Sequence, residues 1–149
     1  MSREFLARTC LLVGGACTSG MGVYHFFLPG MFHWARYVKG SPEPIWAIFA
    51  MNAMLSFLML WGGLSAIFIT LKRDGSGATA RFVTLGMALF WILNAAYQAI
   101  RPPPFPAPLP IVFLAFAILL ALLFCAALFA SRFSKVVKCR IAAPAVGPA

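Results

Sequence analysis

Four apolar runs, each long enough to cross a bilayer, constrain this chain more than any motif in it. They cover about residues 6–28, 45–71, 82–100 and 109–129, separated by short polar or proline-rich stretches. A hydrocarbon core of ~30 Å is crossed by about 20 apolar helical residues. Backbone groups inside it must be satisfied within the segment, so each run is expected to be a helix. Hydrophobic residues make up 62% of the chain and charged residues 10%. A soluble domain carries about 25% charged residues. The expected fold is therefore an all-α integral membrane protein, a four-transmembrane-helix bundle forming a single membrane domain over residues 1–149.

The first run follows Arg3 and Arg8 and contains Gly14-Gly15-Ala16-Cys17, which has some look of a signal-peptide end. Gly14 stands where a lipoprotein cleavage site wants a larger aliphatic residue, so the run reads as an uncleaved first helix. Gly15 and Ser19 form a small-xxx-small pair, and Gly22 continues that face. Such a face lets a neighbouring helix of the same protein approach closely. Pro29-Gly30 is expected to end the helix. Residues 31–40 mix Phe32, Trp34 and Tyr37 with Arg36 and Lys39, as an interfacial segment does. Glu43, in the turn that follows, is expected to form a surface ion pair with Arg36, Lys39 or Arg101.

The second run spans roughly 40 Å as a helix, so it must tilt or protrude. Asn52, Ser56, Met59 and Gly63 fall on one of its faces. The third ends in Asn94, Tyr97, Gln98 and Arg101. Residues 102–110 hold six prolines and are expected to be an extended, stiff loop. The fourth run has no polar side chain except Cys125, as a scaffold helix in contact with lipid would. A basic tail over 131–149 carries Arg132, Lys135, Lys138 and Arg140.

Four crossings put Arg3, Arg8, Lys72, Arg73, Arg81 and the four tail cations on one side, nine in all, against Arg36, Lys39 and Arg101 on the other. By the positive-inside rule both termini are expected in the cytoplasm of a cell (inner) membrane, with 31–44 and 101–108 outside. The net charge of +9 sits in short loops. It points to anionic lipids and other membrane-protein subunits as partners, and not to nucleic acid. The four cysteines form no C-x-x-C pair and imply no disulfide framework.

Alignment of the helix ends gives the candidate site. His25 and Tyr24 in the first run, Asn52 in the second, and Asn94, Tyr97 and Gln98 in the third all fall in the outer third of the membrane. Polar groups there should face one another or an aqueous cleft. The His25 ring is expected to point toward Asn52 or the Asn94/Gln98 face. One reading is an interhelical hydrogen-bond cluster that fixes packing. The other is an outward-open pocket in which these six residues hold a lipid head group, haem, chlorophyll, a quinone or copper. Met21 and His25 are four residues apart, with His33 beyond them, and these three are the metal-ligand candidates. Met51 and Met54 lie at a similar level and would suit Cu(I).

No phosphate-binding loop, H-E-x-x-H or nucleophile triad is present, and no acid lies within a run. Enzymatic activity is therefore not the expectation. The leading one is a non-catalytic accessory or structural subunit, or an assembly factor, of a larger membrane complex. The alternative is a cofactor-binding membrane redox protein. In layout, four short spans with termini inside, the chain is similar to small DoxX-like membrane proteins. No motif carries that likeness, and no residue role follows from it.

Overall fold

The computed structural model describes residues 2–31, 33, 42–72, 77–103 and 107–142, with the backbone alone for 42–45 and 131–142. Four helices account for nearly all of it. They are α1 (Arg3–Met31), α2 (Pro42–Leu71), α3 (Ala78–Ile100) and α4 (Leu109–Ala142). Each contains a segment long and apolar enough to cross a membrane. No strand occurs among the described residues. The chain is thus an all-α, multi-pass membrane bundle. Its surface agrees: Trp46, Phe57, Trp61 and Phe82 are all more than half exposed, as side chains that meet lipid should be.

The helix limits depart from expectation in three places. Pro29-Gly30 does not end α1, which continues to Met31 with Pro29 buried inside it. A proline deprives its helix of the bond to the carbonyl four residues earlier, and a neighbouring helix supplies a substitute, described below. Second, α2 begins at Pro42 and α4 takes in Pro110. Proline suits a first helical turn, where its missing N–H has no intrahelical partner to lose. The expected proline loop therefore ends at Pro108. Third, α4 runs thirteen residues past 129, to Ala142. The sequence from 130 to 142 holds neither glycine nor proline, and the next proline is Pro144. At 34 residues α4 is about 51 Å long, so its basic end must extend beyond the apolar layer. The interfacial segment, apart from Met31 and His33, lies outside the described residues. So do the side chain of Glu43 and those of the tail cations.

In the bundle α1 packs most extensively on α2 and then on α4. α3 packs on α4, while α2 and α3 meet least of the neighbouring pairs. Going round, the order is α2, α1, α4, α3. Glycine accounts for the first of these contacts. A Cβ built on Gly22 would lie 2.6 Å from Leu60 N and 2.8 Å from Ser56 O, and one on Gly15 2.8 Å from Gly63 O. Gly63 in turn faces Ser19 and the Gly15 carbonyl. The backbones of α1 and α2 therefore touch along the small-residue face, which does pack against another helix. Asn52, Ser56, Met59 and Gly63 form the buried face of α2. Gly14 is turned toward α4, where the Phe124 ring fills the space left by its missing side chain. Phe124, Leu120 and Ala117 form the fully buried centre of α4.

Candidate functional site

A side chain on Asn52 completes the backbone of α1. Pro29 has no N–H, so the His25 carbonyl lacks its normal partner within the helix. Asn52 Nδ2 donates to this carbonyl at 2.7 Å. Polar side chains of adjacent helices commonly satisfy backbone groups freed by proline in membrane helices. The same amide turns its Oδ1 toward His25 Nδ1, at a long 3.4 Å. Asn52 is buried, and its own carbonyl also accepts from Ser56 Oγ at 2.6 Å. The His25 ring thus does point to Asn52, held edge-on against Tyr24 with centroids 6.2 Å apart.

Across the bundle, Gln98 Nε2 donates to Asn94 Oδ1 at 2.5 Å, and Gln98 Oε1 is buried with no partner. The two amides are four residues apart, so they sit on one face of α3. Between that face and α1 lies a cavity of about 480 Å³. From α1 it is lined by Met21, Tyr24, His25 and Leu28, and from α3 by Trp91, Asn94, Tyr97, Gln98 and Arg101. Leu55 and Met59 of α2, Phe113 and Phe116 of α4, and Pro102 and Pro103 complete it. Met59 and Trp91 are nearly fully buried and form its floor. Trp91 is fixed there by donating from Nε1 to Thr18 Oγ1 at 3.0 Å, with Thr18 fully buried. Phe116 packs edge-on against Trp91, with centroids 5.9 Å apart and planes at 87°. The opposite end of the cavity carries exposed Arg101 and Tyr97, the latter 68% accessible.

Five of the six candidate residues, Tyr24, His25, Asn94, Tyr97 and Gln98, therefore line one cavity. Asn52 does not; it lies behind His25 and holds it. Of the metal-ligand candidates, Met21 and His25 line the cavity. His33 does not, being exposed in the turn after α1 with a left-handed backbone (φ 49°). Met51 and Met54, 70% and 68% exposed, turn away from the cavity, which removes them from any copper set. Among the described residues no three His, Cys, Asp or Glu side chains converge on one point. The Thr18–Trp91 bond was not foreseeable: 73 positions separate the partners, and no spacing rule links them. The bond between Asn52 and the His25 carbonyl had a signal, because a proline at position 29 necessarily frees the carbonyl at 25.

The site joins an aromatic and aliphatic interior to a polar end holding imidazole, amide, phenol and guanidinium groups. Volumes of about 300–1,000 Å³, mostly apolar with a few placed polar groups, are typical of small-molecule sites. No protein-family model, curated protein or solved structure matches the chain.

Proposed function

We propose that this is a non-catalytic membrane protein that holds an amphipathic small molecule between its helices, near the outer face of a cell (inner) membrane. The observation that carries this reading is the cavity of about 480 Å³ with aromatic walls and a polar end formed by His25, Asn94, Gln98 and Arg101. The positive-inside distribution supports a topology with both termini in the cytoplasm, in which this end faces outward. Arg101 then stands at headgroup level, where a guanidinium is well placed for a polar or anionic end group. Size and the absence of catalytic motifs still suit an accessory subunit, but the cavity gives ligand binding a located site. Quinones and lipids fit the largely aromatic and aliphatic lining better than copper does.

The test is mild detergent purification followed by mass spectrometry of what is released on denaturation, together with an absorbance spectrum. An amphipath in near-stoichiometric amount is expected. Leu55→Trp, which fills the cavity from α2, should lower its occupancy. Wild-type protein that releases no such molecule, and that does not react with photoactivatable lipid or quinone analogues at Phe113 or Phe116, would refute the proposal.

A further inference from the structure

The bond network around His25 specifies more than a generic apolar ligand. Asn52 Nδ2 donates to the His25 carbonyl, an atom that can only accept, so the orientation of the amide is set. The atom facing the imidazole is then Oδ1, which also can only accept. The Nδ1 atom at 3.4 Å must therefore carry the ring proton. In a neutral imidazole this leaves Nε2 as a bare acceptor. It has no hydrogen-bond partner among the described residues. On α3, Gln98 Oε1 also lacks a partner, but it is fully occluded and does not open onto the cavity. The cavity thus presents one bare acceptor, His25 Nε2, with the Trp91 and Phe116 rings lining the same space.

We infer that the site selects a ligand bearing a hydroxyl donor on an aromatic ring, an alkyl-tailed hydroquinone, over the oxidised quinone or a lipid without such a ring. This rests on the ligand-binding reading above. A ring hydroxyl donates to His25 Nε2, while the ring packs against the aromatic floor. A quinone carries only acceptors at its ring oxygens. With an oxygen in the same place it would set one acceptor against another at Nε2 and leave that nitrogen unpaired, which is costly in a buried site. Asn52 acts here as a positioning residue: by holding the proton on Nδ1 it keeps Nε2 available.

Two measurements test this. In ¹⁵N NMR of ring-labelled protein, the His25 signals should show a protonated Nδ1 and an unprotonated Nε2. The opposite tautomer would overturn the inference whether or not anything binds. Equilibrium dialysis of the protein in micelles, corrected for empty micelles, then compares a short-chain alkyl hydroquinone with its quinone, its dimethyl ether and a short-chain diacylglycerol. The hydroquinone should bind at least about tenfold tighter than the quinone and the dimethyl ether, the factor expected for one lost hydrogen bond, and tighter than the diacylglycerol, whose hydroxyl has no ring behind it. His25→Phe should erase that preference while leaving dimethyl ether binding in place. Equal binding of all four would refute selection by hydroxyl donors yet leave the cavity reading intact. Equal binding of hydroquinone and diacylglycerol alone would refute the aromatic component. No binding of any would refute both proposals.

Discussion

Gly22→Ala should separate the two helices that hold the bundle together, and its cost can be worked from contacts. The added Cβ would stand 2.6 Å from Leu60 N, 2.8 Å from Ser56 O and 3.1 Å from Leu60 Cα. All three are backbone atoms, so no side-chain rotation relieves the clash and α2 must move. An ordinary contact lies beyond about 3.4 Å, so the shift is on the order of 0.5–1 Å. A gap of that size forfeits a quarter to a half of each dispersion contact it opens. Small-to-large changes in packed cores cost about 1–3 kcal/mol, and a clash with rigid backbone belongs at the upper end. Alanine returns about 1 kcal/mol through helix propensity, leaving a net loss of about 1–2 kcal/mol. Gly20 is the control. It lies two residues away on the same helix, and its Cβ would meet nothing within 4 Å. Gly20→Ala should therefore be neutral or stabilising by up to about 1 kcal/mol. Reversible unfolding in mixed micelles with increasing SDS fraction measures both. If the two variants agree within about 0.5 kcal/mol, the close contact of α1 and α2 is wrong.

Thr18→Val leaves Trp91 Nε1 buried without an acceptor and should cost about 1–3 kcal/mol in the same assay, with Thr18→Ser close to wild type; a stable Val variant would show that the bond is dispensable. Asn52→Leu should destabilise by a similar amount because the His25 carbonyl loses its partner, but less so in a Pro29→Ala background, where the helix regains its own bond; the double-mutant cycle should be non-additive by at least about 0.5 kcal/mol, and additivity would separate the two residues. Cysteines placed at Lys39 and Ala107 should react with an impermeant reagent from outside and one at Ser76 should not; the reverse pattern would invert the topology. Replacing Arg132, Lys135, Lys138 and Arg140 by Gln should reduce the anionic lipid retained on extraction, at about 1 kcal/mol per cation near a charged surface; unchanged retention and orientation would end that role for the tail.

Periodicity and apolar length were enough to locate four helices, because in lipid a long apolar run has few alternatives to helix. The small-residue face of α1 and the buried face of α2 were legible for the same reason: spacing alone assigns Gly15, Ser19 and Gly22, or Asn52, Ser56 and Gly63, to one side. Helix ends were less legible, since proline reads as a stop unless a partner for the freed carbonyl is known. The errors at 28 and 45 moved α1 and α2 outward by equal amounts, three residues each. The relative level of His25 and Asn52 therefore survived, although His25 lies six residues, about 9 Å, from the end of α1. What spacing did not reveal was which polar groups point where. Asn52 and Asn94 looked equivalent as partners, yet one serves the backbone of α1 and the other lines a cavity. That difference depends on how closely each helix approaches its neighbour, which is a property of the assembled bundle.

The tight contact and the cavity have a common cause. Glycines at 15, 22 and 63 draw α2 against α1, and a helix held that closely on one side cannot also fill the space on the other. Leu55 and Met59 therefore reach the interior from a distance set by Gly22 and Gly63, while α2 and α3 remain the least packed neighbours. On the far side, α3 is anchored deeper in the bundle by Trp91 bonding to Thr18. The space above that bond is left to side chains too short or too polar to close it, Asn94 and Gln98 among them. A variant that forces α1 and α2 apart should thus alter the cavity as well as stability. Gly22→Ala offers a direct comparison, because Gly22 lies one residue from the cavity-lining Met21 and is itself absent from the lining. Any change in ligand occupancy it causes must pass through the spacing of the helices.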